Sequence, residues 1–195
     1  MSAETRQPFS LAEQRAKDLL EATKTVVPVI SIIREWGKAE KEYNEVEEKQ
    51  NTLSKEIESI RYVLEISYTD SKLKDSLSTL LKKKEASYEE VSKRVKQLKD
   101  ICDSYEEEVI NYQEYVKSFT VDEDIVLDVL NMELLRTKDE GLAIIFFIIN
   151  NHTVDVRRLK AGMPFFFKDF EGLMYRLLST PNWNKMLRQL KAGEI

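Results

Sequence analysis

Residues that end helices are scarce in this chain: five glycines and four prolines among 195 residues. In a helix interior glycine costs about 1 kcal/mol and proline about 3 relative to alanine, so their scarcity leaves room for long uninterrupted helices. It also removes any glycine-rich loop that could cradle a phosphate. One cysteine excludes an internal disulfide and a multi-cysteine zinc site, and fits a reducing compartment. Positive charge is not in excess either: 30 Lys and Arg stand against 35 Asp and Glu, a formal net charge of -5. A nucleic-acid partner therefore finds no global basic field to bind. Position 2 lacks the glycine that myristoylation needs, and the first thirty residues carry too many charges for a signal peptide. A cytoplasmic, intracellular protein is expected, and the glycosylation-like Asn151-His152-Thr153 is read as chance. No apolar run reaches membrane-spanning length. The longest, Leu142 to Ile149, has eight residues and covers about 12 Å as a helix, against about 30 Å of hydrocarbon.

What the chain has instead is heptads. From Val29 through Ile32, Trp36, Ala39, Tyr43, Val46, Gln50, Leu53, Ile57 and Ile60 to Leu64, steps of three and four alternate without a slip. Only Gln50 is polar. A second series runs Leu77, Leu81, Lys84, Tyr88, Val91, Val95, Leu98, Cys102, Tyr105, Val109, Tyr112, Val116, Phe119, with Lys84 its one polar member. Each is the a/d seam of a left-handed coiled coil. Between them, Ser67 to Ser71 is rich in Thr, Asp and Ser, whose side-chain oxygens accept the orphan N–H groups at a helix start. The expected fold is all-α: a long antiparallel coiled-coil hairpin over 10–120, turning near 67–71, with a flexible N-terminus at 1–9. Folding there pairs residue i with roughly 139 minus i.

Charge tests that register independently. Residues 40–58 hold seven acidic and three basic side chains, and residues 82–99 hold seven basic and three acidic. The fold-back sets these stretches side by side. The second helix is expected from about Asp70 to Phe119. The first begins near Ser10, where Glu13 completes a capping-box spacing, and should kink or break at Pro28, which has no N–H to donate.

After Val121 the heptads stop. Short helical signals follow over Asp122 to Thr137, from Thr153 to Gly162, from Pro164 to Ser179, and from Thr180-Pro181 onward with Trp183, Met186, Leu187 and Leu190 on one face. Residues 121–195 thus read as a small C-terminal helical head, packed on the base of the stem because its own core is meagre. Leu142 to Ile149 is read first as a buried helix, with a buried strand or a membrane-touching element as alternatives.

No catalytic constellation emerges. His152, the one histidine, has no nucleophile placed beside it, and Cys102 sits on a seam, where a thiol is buried and inert. Asp122, Asp124 and Glu133 echo a calcium loop, but Val126 and Leu127 stand where an oxygen ligand and a glycine are required, and a helix start explains the acids equally well. No metal, cofactor or enzymatic activity is expected. Interaction surfaces are. Around the turn, Tyr62, Val63, Ile66, Tyr68, Leu73 and Leu80 widen the apolar face beyond the seam. In the head, Arg157, Arg158 and Lys160 form a basic cluster beside the exposed-aromatic candidate Phe165. Arg157, Arg158 and Lys160 are read first as a solvated helix end. Val63, Leu73, Leu80 and Ile101 all fall at heptad position g, beside the seam, which favours packing of two hairpins side by side. The expected function is a coiled-coil scaffold or adaptor that binds other proteins through its ends and forms a homodimer, with no nucleic-acid partner. The alternative is a membrane-associated helical protein using 142–149.

Overall fold

A computed structural model describes residues 10–66, 70–131, 137–151, 154–155, 157–158 and 182–195. Its helices are α1 (Leu11–Ile66), α2 (Ser71–Lys117), α3 (Glu123–Asn131), α4 (Lys138–Asn150) and α5 (Trp183–Lys191). The all-α expectation holds, and α1 and α2 pair as an antiparallel hairpin. By contacts the chain divides into two compact units, one of Trp36 to Glu106 and the other of the residues through Glu35 together with Glu107 to Ile195. Both long helices contribute to each.

In the hairpin unit the seam lies where periodicity places it. Leu53, Ile57 and Leu98 are buried, and every other member of the two series within the unit is buried or half-buried. Both polar seam residues have partners across the pair. The Gln50 amide Nε2 meets the Ser92 hydroxyl at 2.8 Å, and Lys84 Nζ reaches Glu56 Oε2 at 2.7 Å. An unmade hydrogen bond at a half-dry seam costs about 1–3 kcal/mol, so these two contacts remove a penalty that would oppose this register. Arg94 pairs with Glu42, and Arg61 with Glu85. Gln50 with Ser92 and Glu56 with Lys84 add to 142 and 140, within three of the expected 139. Cysteines replacing Gln50 and Ser92, on a Cys102→Ser background, should be joined within one chain by a short bismaleimide at high dilution. Cysteines at Gln50 and Ser76 should not be, and the reverse preference would reject the register.

The ends of the long helices follow local rules. The Ser10 hydroxyl accepts from the Glu13 N–H at 3.2 Å while Glu13 accepts from the Ser10 N–H at 2.9 Å, the expected capping box. Asp70 accepts from the Lys72 N–H and opens α2. The Thr and Ser of the turn at 67–69 lie outside the described residues, as does the N-terminus at 1–9.

The break expected at Pro28 does not occur: α1 runs through it to Ile66. Pro28 is exposed, and the carbonyl it deprives of a donor belongs to Lys24, which is also exposed, so the lost bond falls on the wet side. On the opposite side Val26, Val29, Ile30 and Ile33 are fully buried. Their packing holds the helix together where propensity alone would let it end.

That buried stripe belongs to the second unit, whose centre is α4. From Gly141 to Ile149 every residue of α4 is buried. A helix apolar all round needs cover on every side. Arg34 of α1 grips Asp139 with two hydrogen bonds of 3.0 and 2.8 Å, and its Nη2 also lies 3.5 Å from the Ile195 carbonyl oxygen. Gln113 of α2 donates to Asn150 at 2.8 Å. Phe119, just past α2, meets Phe147 edge-on at 5.5 Å, and Phe146 meets Trp183 of α5 edge-on at 4.3 Å. The choice between helix and strand is settled by the start of α4. Thr137 and Glu140 form a reciprocal capping box, which fixes the first turn before the apolar run begins. Gly141, the residue before the run, is inside the helix.

Within the Asp122–Thr137 stripe α3 is described over Glu123–Asn131, with Asp122 Oδ1 accepting from the Ile125 N–H at 2.9 Å as its cap, and 132–136 lie outside the described residues. α5 is capped by Asn182, whose carboxamide oxygen accepts from the Lys185 N–H at 3.0 Å; Thr180 and Pro181, where the sequence expects this helix to open, lie outside the described residues. Of the helix expected over 153–162, Arg157 and Arg158 are helical and donate their N–H groups to Asp155 Oδ1 at 2.9 and 3.3 Å; the rest of it beyond 154–155, and the helix expected over 164–179, lie outside the described residues.

Candidate functional site

Heptad position decides which apolar side chains the hairpin can cover. Two helices in contact bury a and d. Residues at g and c border the seam on one side, and those at e and b on the other. On the e side the hairpin offers Glu47, Ser54 and Arg61 from α1 and Ser78, Glu85, Ser92 and Lys99 from α2, all polar. On the g side, beside Glu42, Lys49, Glu56, Ser87 and Arg94, it offers Val63, Leu73, Leu80 and Ile101, which remain between 40% and 48% exposed. Ile66, at a neighbouring c position, and Tyr62 are more exposed still. Of the turn residues singled out by sequence, Val63, Ile66, Leu73 and Leu80 therefore share this side as uncovered apolar surface, Tyr62 is exposed at an outward f position, and Tyr68 falls outside the described residues. Single exposed hydrophobics are ordinary, but several on one face of an otherwise charged helix pair are not.

A shallow groove runs along each side of the seam. That on the g side, of about 560 Å3, is floored by Ile60 and Leu80 and rimmed by Lys55, Glu56 and Lys84. That on the e side, of about 530 Å3, is lined by Ile57, Tyr88, Arg61 and the carboxylates of Glu58, Glu85 and Glu89. Arg61 and Glu85 span the e-side groove with a 2.6 Å ion pair. In the g-side groove the Thr52 and Ser59 hydroxyls donate to the backbone carbonyls of Glu48 and Lys55. Among the described residues no three Asp, Glu, His or Cys side chains converge to hold a metal ion. Deeper in the unit, Tyr43 donates to Glu47 at 2.7 Å. That hydrogen bond, with burial and the Glu47 charge, raises the phenol above its ordinary value and keeps it protonated. The contribution of this bond is present below pH 10 and is lost as pH rises through the raised value.

The remaining candidates are scattered. Cys102 is half-buried, not buried, since it occupies an a position of a two-helix seam whose flanks are open to water. Arg157 and Arg158 are exposed, while Lys160, Phe165 and His152 lie outside the described residues. Arg158 is not merely a solvated end: it pairs with Asp124 at 2.9 Å and Glu123 at 3.5 Å, at the start of α3, where acids accumulate for dipole reasons and attract a nearby guanidinium. That also gives Asp124 a partner other than calcium. Glu133 lies outside the described residues. Sequence reasoning passed over Leu11, Ile110 and Tyr115, all exposed. Ile110 follows the seam residue Val109 directly, so adjacency to a seam position was its one available signal. Tyr115 packs edge-on against Phe119 at 5.1 Å. No protein-family model, curated protein or solved structure matches this chain.

Proposed function

We propose that this chain is a non-catalytic assembly protein of the cell interior, a coiled-coil scaffold or adaptor that binds other proteins through the apolar g face of its hairpin. The observation that carries this reading is the one-sided exposure of Val63, Ile66, Leu73 and Leu80, set against a polar e side on the same two helices. Burying such a side chain is worth about 1.5–3 kcal/mol, so a helix or hairpin laid along the face has enough to gain. The basic pair Arg157 and Arg158 is a weaker candidate, because Arg158 already answers two carboxylates.

The rival reading, a membrane-associated protein using 142–149, needs that segment at the surface. In the fold it is the all-round buried part of α4, so lipid contact requires the unit to open. Among the described residues no helix is long and apolar enough to cross a membrane. Photocrosslinking in the native source separates the readings. A photoreactive residue at Leu73 should give discrete protein adducts, and the same residue at Ser78, on the e side, should give few. Equal labelling at both sites, or co-sedimentation of the intact chain with liposomes and no protein adducts, would refute the adaptor reading.

A further inference from the structure

The reading as an interaction protein leaves the occupant of the g face open, and on that reading we propose that the occupant is a second copy of this chain, packed face to face with the two turns at the same end. The warrant is charge in register. A twofold axis parallel to the helices keeps every residue at its own level. It therefore sets α1 of one copy against α2 of the other in the same register as the hairpin, where Glu56 meets Lys84 and Gln50 meets Ser92. In that register the charged c and g residues of α1 nearest the turn, read away from it, alternate as Glu56, Lys49, Glu45, before a further acid at Glu42. Those of α2 at the same levels alternate as Lys83, Glu90, Arg94. Each of these three meets its opposite, whereas Glu42 falls at the level of Gln97 and keeps Arg94 of its own chain. Among the described residues Glu45, Lys49, Lys83 and Glu90 have no ion-pair partner. Glu56 and Arg94 have one each, in Lys84 and Glu42, and the second copy would extend both into three-membered networks.

The apolar end agrees. In the same register Ile66 of one copy reaches the level of Leu73 of the other, and Val63 lies between the levels of Leu73 and Leu80. The uncovered side chains of both copies then close on one another, in a four-helix cross-section where all neighbours run antiparallel. The opposite arrangement, turns at opposite ends, sets α1 against α1 and separates the two apolar ends. It satisfies neither pattern. The e face, polar throughout, has no comparable gain to offer.

The test uses the full chain and two charge reversals, Lys49→Glu and Glu90→Lys, with circular dichroism to verify that each variant remains helical. Sedimentation equilibrium should find the parent dimeric at tens of micromolar. Each pair occurs twice in a twofold dimer, so each single variant should dissociate about tenfold more readily as like charges replace opposite ones. Mixing the two variants should restore association to within about threefold of the parent, because each reversed residue then faces its reversed counterpart on the other copy. Only contact between chains can produce that rescue. Leu80→Glu should abolish the dimer. A monomeric parent, single variants that associate normally, or a mixture as weak as its components would overturn the proposal. A monomer whose Leu73 photocrosslinker still captures discrete proteins loses the second copy but keeps the adaptor reading, whereas a monomer that captures none loses both.

Discussion

Replacing Phe146 by alanine should cost about 3–5 kcal/mol of stability and lower the melting temperature by about 10 °C. Phe146 is fully buried in a helix that has no exposed side between Gly141 and Ile149, so no neighbouring surface can slide in from solvent to fill the space. The ring also loses its edge-on contact with Trp183 at 4.3 Å, worth roughly 0.5–1.5 kcal/mol beyond area. The damage should be local to one compact unit. The hairpin of Trp36 to Glu106 makes its own seam and shares no residue with α4. Calorimetry together with near-ultraviolet dichroism is the measurement. An unchanged melting profile would mean that α4 is not the centre of its unit.

An isolated fragment of residues 121–195 should fail to fold cooperatively, which is the larger effect. α4 is then separated from Arg34, whose two hydrogen bonds hold Asp139, from Gln113, which holds Asn150, and from Phe119 against Phe147. It also loses the buried stripe of α1, Ala16, Leu19, Val26, Ile30 and Ile33, which belongs to the same compact unit. A fragment left with so little core should be helical yet molten: far-ultraviolet dichroism retained, dye-binding apolar surface exposed, and broad amide spectra without a sharp thermal transition. Dispersed amide resonances and a cooperative melt would show that these residues carry a complete core of their own.

The two predictions draw on parts of the chain that were legible to different degrees. The seam was readable because a heptad is a local pattern whose partner is another such pattern. Where Gln50 and Lys84 interrupt the apolar series, their partners Ser92 and Glu56 sit at the levels the fold-back assigns. The helical state of Leu142 to Ile149 was less legible, since a fully apolar run has no period. The deciding signal lay just outside it, in the spacing of Thr137 and Glu140. The continuity of α1 through Pro28 was not legible, because a proline's cost depends on which side of the helix meets water, and sequence alone does not say.

By itself the sequence determined that two long helices fold back on each other, in which register, and which apolar residues the seam would leave over, Val63, Leu73, Leu80 and Ile101 among them. All of this follows from spacing and charge along the chain, because a helix converts position in sequence directly into position on a face. Only the tertiary structure decided that the beginning of α1, the end of α2 and α4 share one core, and that Arg34 answers Asp139 across 105 positions of sequence. Those contacts join residues remote along the chain, and no local period encodes which distant surface an all-round apolar helix will find to cover it.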